Sequence, residues 1–190
     1  MVATKQLPTR SAVPEELTWD LTPIYADQAA YEADIAQVKA AISTVTALKE
    51  TFTSSADTVL AGIQAVLALY RRLEKVAVYA SLKSDQDTGN STNAALDDQA
   101  SSLTAKVSAA TAWFEPAILE LTPGELDTYL DENVDLRDYR HLLDTIRLQK
   151  GHVLSESEEA LLAGASDIFG ASAKTFGVLN NADFQFPTVK

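Results

Sequence analysis

Apolar residues recur every three or four positions in three long stretches of the chain, which predicts three long amphipathic helices. These helices are predicted near residues 27–50, 56–86 and 91–115. Each helix should place apolar residues in the core, for example Ile35 in the first, Leu67 in the second and Leu103 in the third. Because the connections between the helices are short, the pattern predicts an antiparallel bundle.

After residue 115 the apolar pattern breaks into shorter segments. Pro116 should end or kink the third helix, because proline lacks a backbone N–H and clashes with the preceding turn. Thr122 with Glu125, and Ser155 with Glu158, have the spacing of capping boxes, which predict helix starts. Four short helices are predicted here. The first carries Leu126 and Leu130, and the second extends over about 136–150. The third carries Leu161 and Leu162, and the fourth extends over about 172–180 with Phe176 and Leu179.

The two ends of the chain differ from this helical middle. The predicted parts are an extended arm (1–25), a helical domain (26–183) and a strand-like tail (184–190). Prolines keep the arm extended, and the Trp19 ring should hold it on the helices. The tail alternates apolar and other residues from Phe184 onwards, which is typical of a strand, but the chain offers no second strand to pair with it. We expect the tail to be poorly packed or to pair with another molecule.

Composition favours an all-α fold and excludes several classes of protein. The 190 residues include only 7 glycines and 6 prolines, which argues against a turn-rich β fold. Cysteine is absent, which excludes disulfides, thiolate zinc fingers, iron–sulfur clusters and cysteine nucleophiles. The net charge of -12 argues against nucleic acid or an anionic membrane as a partner. Since no stretch resembles a secretory signal or a membrane span, we expect a cytoplasmic protein.

Most of the negative charge falls between residues 85 and 135. This stretch contains eleven carboxylates and a single cation, Lys106. Such a field would repel anions or attract cationic peptides, or it would simply belong to a solvated helix face that keeps the protein in solution. The second interpretation is preferred, because charged helix faces are common and carry no function of their own.

Candidate catalytic and binding residues are few. A zinc metallopeptidase helix needs two histidines four residues apart with a glutamate beside the first, and His141 and His152 do not have this spacing. Two cationic clusters could clamp a peptide carboxylate: Arg71, Arg72 and Lys75, and Arg137, Arg140 and Arg147. Pairing within a helix, as of Arg140 with Asp144, is the simpler interpretation. We therefore predict no catalytic, cofactor-binding or metal-binding residue in this chain.

Short motifs spread along the chain resemble those of one family. They are Leu7-Pro8-Thr9-Arg10 with Trp19-Asp20-Leu21, Val78-Tyr79-Ala80-Ser81-Leu82, Phe114-Glu115-Pro116, Tyr139-Arg140-His141, Leu154-Ser155-Glu156 with Glu158-Glu159-Ala160-Leu161-Leu162, and Leu179-Asn180-Asn181-Ala182-Asp183 with Phe186-Pro187-Thr188. In their order and approximate spacing they resemble the amino-terminal part of oligoendopeptidase F, one of the thimet-oligopeptidase-like zinc metallopeptidases. No single motif is diagnostic, but together they cover almost the whole chain.

The resemblance implies an intracellular zinc endopeptidase that acts on short peptides, with its HExxH helix in a second, larger domain. No metal-binding or catalytic role carries over to any residue here, so zinc would belong to the parent enzyme. The chain would be a non-catalytic lobe that forms one wall of a peptide channel, with the catalytic domain of the same polypeptide and an oligopeptide as its partners. The alternative is a free-standing helical protein-interaction module, and a reading frame that continues past Lys190 into an HExxH motif would favour the lobe.

Overall fold

The computed structural model describes residues 9–150 and 154–184, and these ranges are helical without a β-strand. The all-α prediction is therefore confirmed. The helices are α1 (Gln28–Leu48), α2 (Ala56–Gln86), α3 (Ser91–Thr111), α4 (Phe114–Glu120), α5 (Pro123–Glu132), α6 (Arg140–Leu148), α7 (Glu156–Gly164) and α8 (Ser166–Val178). Short 3-10 helices lie at Arg10–Ala12, Glu15–Leu17, Lys49–Thr51 and Asp135–Tyr139, and a π-helical turn, Leu179–Asp183, follows α8.

The three long helices begin at polar caps that the sequence allows. The Asp27 carboxylate accepts a hydrogen bond from the Ala30 amide at 2.8 Å at the start of α1. The Asn90 side chain accepts from the amides of Thr92 and Asn93, and this cap starts α3 after a short break from α2. Satisfying these orphan N–H groups fixes where each helix starts.

The core lies where the three long helices contact one another. Its fully buried side chains include Val38 on α1, Ile63 and Val76 on α2, and Val107 on α3. The short helices close one end of this core with Ile118, Leu126, Leu136 and Leu143, all of which are buried. Tyr129 of α5 ties the two parts together, since its hydroxyl donates to the carbonyl of Thr53 at 2.9 Å.

The connection between α1 and α2 differs from the sequence prediction. The helix predicted near 27–50 ends at Leu48, and Phe52, beyond its end, is 1 % exposed. Its ring centroid lies 5.1 Å from that of Trp113 and 5.5 Å from that of Phe114. The ring is therefore buried among aromatic side chains, which contribute much of the energy of a core.

Two boundaries further along the chain also differ. The third helix ends at Thr111 rather than near 115, and Pro116 falls in the first turn of α4, where its missing N–H costs nothing. The predicted helix over 136–150 is a 3-10 helix followed by α6, and the predicted helix over 172–180 begins at Ser166. The two predicted capping boxes are present: the carboxylates of Glu125 and Glu158 accept from the amides of Thr122 and Ser155.

The arm is not held by the residue that the sequence suggested. The Trp19 side chain is 54 % exposed, whereas Leu21 and Tyr25 are buried. Trp19 contributes only its backbone carbonyl, which accepts from the Gln86 side-chain amide at 2.9 Å. The arm also contains two short 3-10 helices and is not extended throughout, and its residues 1–8 lie outside the described part.

The predicted strand over 184–190 falls almost wholly outside the described residues, which end at Phe184. Phe184 has an extended backbone and a half-exposed ring. Over the described ranges, no helix combines the length and the apolar composition needed to cross a membrane.

Candidate functional site

Among the described residues, His141 takes no part in a metal site. His141 lies on the exposed side of α6, and His152 lies outside the described residues. Within 9–150 and 154–184, no three His, Cys, Asp or Glu side chains come together in a way that could hold a metal ion. Zinc-activated water chemistry needs such a three-ligand set.

The first cationic cluster is organised around Asp34 of α1. Arg72 Nε lies 3.4 Å from one carboxylate oxygen of Asp34, and Lys75 Nζ lies 3.7 Å from the other. Tyr25 donates a hydrogen bond to the same carboxylate at 2.8 Å, and the Lys75 ammonium lies 4.1 Å above the Tyr25 ring. Two of the three cations therefore bind a carboxylate of this chain, and they fasten the arm and α2 to α1.

The partners of this cluster, Asp34 and Tyr25, could not be predicted from the sequence, because they come from separate elements with no motif linking them. Burial raises the pKa of Tyr25 above its usual value, and the hydrogen bond to Asp34 raises it further. Tyr25 also makes an edge-to-face contact with Tyr31, 5.5 Å between ring centroids. The cluster thus joins elements of the fold around the buried Tyr25 ring, with its cations half-exposed.

Two cations of the second cationic cluster, Arg137 and Arg140, also contact groups of this chain. Arg140 lies 3.6 Å from Asp144 at i,i+4 spacing, as predicted, and 3.9 Å from Asp127 of α5. Arg137 donates to the backbone carbonyls of Leu130 and Asp131, which caps the carboxyl end of α5. These contacts hold short helices together and favour the structural interpretation of this cluster.

The acidic stretch is largely a solvated face with local roles. Glu125 caps α5, and hydrogen bonds from the Thr122 hydroxyl and amide lower the pKa of its carboxyl. Asp98 pairs with Lys174 of α8. These contacts agree with the interpretation that the charge belongs to exposed helix surfaces.

A cavity of about 390 Å³ lies between α2, α3, α4, α6 and α7. Its walls are mostly apolar, and the hydroxyls of Tyr70 and Thr111 meet there at 2.8 Å. Because the Thr111 hydroxyl also donates to the Val107 carbonyl, Tyr70 is the donor of this pair. Leu67, assigned to the core from sequence, is 38 % exposed because it lines this opening, and Tyr70 beside it is 39 % exposed. The cavity suits an apolar group.

Comparison with known proteins decides what this helical unit is. A family model described as Oligopeptidase F matches residues 118–186. Group B oligopeptidase PepB of Streptococcus agalactiae is 40 % identical over 181 residues, and oligopeptidase PepF of Bacillus subtilis is 40 % identical over 185 residues. The crystal structure of oligoendopeptidase-F from Enterococcus faecium superposes with a TM-score of 0.80 at 44 % identity. The chain belongs to the oligoendopeptidase F family.

The match covers nearly all of this chain and a minor part of each relative. It takes in 95 % of the chain and 30 % of PepB, 97 % of the chain and 28 % of PepF, and 84 % of the chain and 30 % of the Enterococcus structure. The chain therefore spans less than a third of the length of these relatives, and it corresponds to their amino-terminal region. The family resemblance of the short sequence motifs is confirmed.

Proposed function

We propose that this chain is the non-catalytic amino-terminal lobe of a zinc-dependent oligoendopeptidase that hydrolyses short peptides. The observation that carries the proposal is the coverage: 95 % of the chain aligns with 30 % of PepB at 40 % identity. The zinc and the peptide-cleaving residues belong to the part of the polypeptide that this chain does not include, since its sequence contains no HExxH motif.

We further propose that the lobe forms one wall of the channel that admits the peptide. In this arrangement α1, α2 and α3 pack as an antiparallel bundle, because they contact one another and are joined by the short connections 49–55 and 87–90. A packed bundle is a rigid barrier, so folded proteins are kept from the zinc while flexible peptides pass. Excluding water from such a channel also strengthens the electrostatic interactions at the metal.

The lobe accounts for the observations better than a free-standing interaction module. An interaction module explains exposed apolar residues equally well, but it gives no reason for the alignment of almost the entire chain with a minor part of much longer peptidases. The domain division follows from the same proposal: an arm over 1–25, the helical lobe over 26–183, and a tail over 184–190 that leads towards the catalytic domain.

The proposal is tested on the full-length polypeptide that carries this chain. We expect it to contain an HExxH motif, to cleave an internally quenched oligopeptide, and to lose that activity when a chelator removes the metal. A folded protein that displays the same peptide in a short, rigid loop should resist cleavage, and its unfolded form should be cut. Equal cleavage rates for the folded and unfolded substrates would contradict the proposal that the lobe is a wall of the channel. An oligopeptide that stays intact would contradict the proposed peptidase activity.

A further inference from the structure

Helices α7 and α8 expose most of their large apolar side chains. Only Ala165 separates them, and its backbone (φ -92°, ψ 0°) is in the right-handed helical region. Both helices contact α3. The side of α8 that faces α3 carries small residues, Gly170 and Ala171, together with Lys174, which pairs with Asp98 of α3.

The large apolar side chains of α7 and α8 point away from the core. They form two adjacent rows at a spacing of seven residues, Leu161 with Ile168, and Leu162 with Phe169 and Phe176. Their exposed fractions are 73 % for Leu161, 75 % for Ile168, 65 % for Phe169 and 66 % for Phe176. We call these five side chains the outer face.

An exposed face of this kind normally marks an interaction surface. Monomeric soluble proteins rarely expose contiguous apolar patches larger than a few hundred Å². On α2, by contrast, the large apolar residues of the main stripe, such as Ile63, Leu69 and Leu73, are buried. In the outer face, by contrast, five large apolar side chains lie together on two consecutive helices without full cover from the described residues.

We propose that the outer face is the surface on which the carboxyl-terminal, catalytic part of the oligoendopeptidase F polypeptide docks. The inference rests on the proposed function and adds the contact surface to it. The face lies in the last helices of the described chain and within residues 118–186, which match the family model. The relatives continue for more than twice the length of the matched region, so they contain the polypeptide that could cover the face.

A second copy of this chain is a poorer occupant of the outer face. Two copies would bring together two bodies that each carry a net charge of -12, and like charges oppose association. A segment in the same polypeptide is held nearby by the chain itself, at an effective concentration in the millimolar range for a short flexible connection. Docking within one polypeptide is therefore favoured over dimerisation.

The absence of cysteine from this chain permits a direct test. Ile168→Cys and Phe176→Cys place single thiols in the outer face, and Ala36→Cys places a matched thiol on the exposed side of α1. Each variant is made in the 190-residue chain and in the full-length polypeptide, and maleimide labelling rates are read at each site by peptide mass. We expect the thiols at positions 168 and 176 to label at least tenfold more slowly in the full-length polypeptide, with little change at position 36.

Equal labelling rates in the two polypeptides would overturn the docking proposal. Slower labelling in the 190-residue chain itself as its concentration rises would also overturn it, in favour of a second copy. Phe176→Asp provides a second measurement: it should leave the thermal midpoint of the 190-residue chain unchanged and lower that of the full-length polypeptide. Since labelling and melting do not depend on peptidase activity, failure of the docking proposal is distinguishable from failure of the proposed function.

Discussion

Among the described glycines, Gly62 has the least room for a side chain. It lies on α2 under the Phe52 ring, and a methyl group on its Cα would clash with the carbons of that ring. Phe52 is fixed between Trp113 and Phe114, so it has little room to move aside. The absence of a side chain at Gly62 is thus what lets the buried ring reach its place.

We expect Gly62→Ala to destabilise the 190-residue chain by about 1–3 kcal/mol, because overpacking forces a buried ring off its rotamer. The matched control is Gly124→Ala on α5, where a Cβ meets nothing within 4 Å. Alanine there should be neutral or stabilising by up to about 1 kcal/mol through helix propensity. Urea unfolding of both variants checks this, and equal effects would contradict the steric explanation.

Tyr25 should make the arm sensitive to alkaline pH. Its pKa is raised in the folded state by burial and by the hydrogen bond to Asp34, so folding favours the neutral phenol. The stability that Tyr25 contributes is therefore fully present below its unfolded pKa of about 10 and is lost as the pH rises above that value.

For Tyr25→Phe we expect a loss of about 1 kcal/mol at pH 7, since the hydrogen bond to Asp34 is removed. The difference from the wild type should shrink between pH 10 and pH 11, because the variant has no phenol at this position to ionise. Chemical unfolding measured across this range is the check. A difference that stays constant would show that Tyr25 does not carry the alkaline sensitivity.

At the scale of elements, the capping box of α5 links a short helix to pH. Hydrogen bonds from the Thr122 hydroxyl and amide lower the pKa of Glu125, so the box stabilises α5 above the usual glutamate pKa of about 4.3 and weakens as the pH falls below it. We expect Thr122→Ala to cost about 1 kcal/mol at pH 7, as for other N-caps. Unfolding curves at pH 7 and pH 3 should show a smaller difference at pH 3, and an unchanged difference would contradict the role of the ionised carboxylate.

Features that depend on neighbouring residues could be predicted from the sequence. The caps at Asp27 and Thr122 and the start of α2 follow from hydrogen bonds within one helical turn, which a local pattern records. The stripes of the long helices predict burial well for Ile35 and Leu103, each of which faces the core.

The positions that sequence analysis misplaced depend on contacts between distant residues. Leu67 has the helical spacing of a core residue, but the short helices leave a cavity beside it. Trp19 is apolar enough to anchor the arm, yet Tyr25 takes that place because Asp34 and Lys75 lie opposite it. Periodicity identifies an apolar side of a helix, and it cannot tell whether the neighbour that covers this side belongs to the same domain.

On the scale of the whole molecule, the described residues form a helical unit with its own buried core and an uncovered outer face on α7 and α8. Its cationic clusters are used to join its own elements, and its carboxylates cap helices or face solvent. A unit with this distribution of side chains is suited to supporting and enclosing a reaction that another part of the polypeptide performs.

The most direct test of this account compares the purified 190-residue chain with the full-length polypeptide in one assay. Hydrolysis of an internally quenched oligopeptide and the zinc content of each protein are measured, with and without a chelator. We expect no hydrolysis and no stoichiometric zinc in the 190-residue chain, because a preorganised three-ligand site is needed for both, and chelator-sensitive hydrolysis by the full-length polypeptide. Chelator-sensitive cleavage of the peptide by the 190-residue chain alone would contradict its assignment as a non-catalytic lobe.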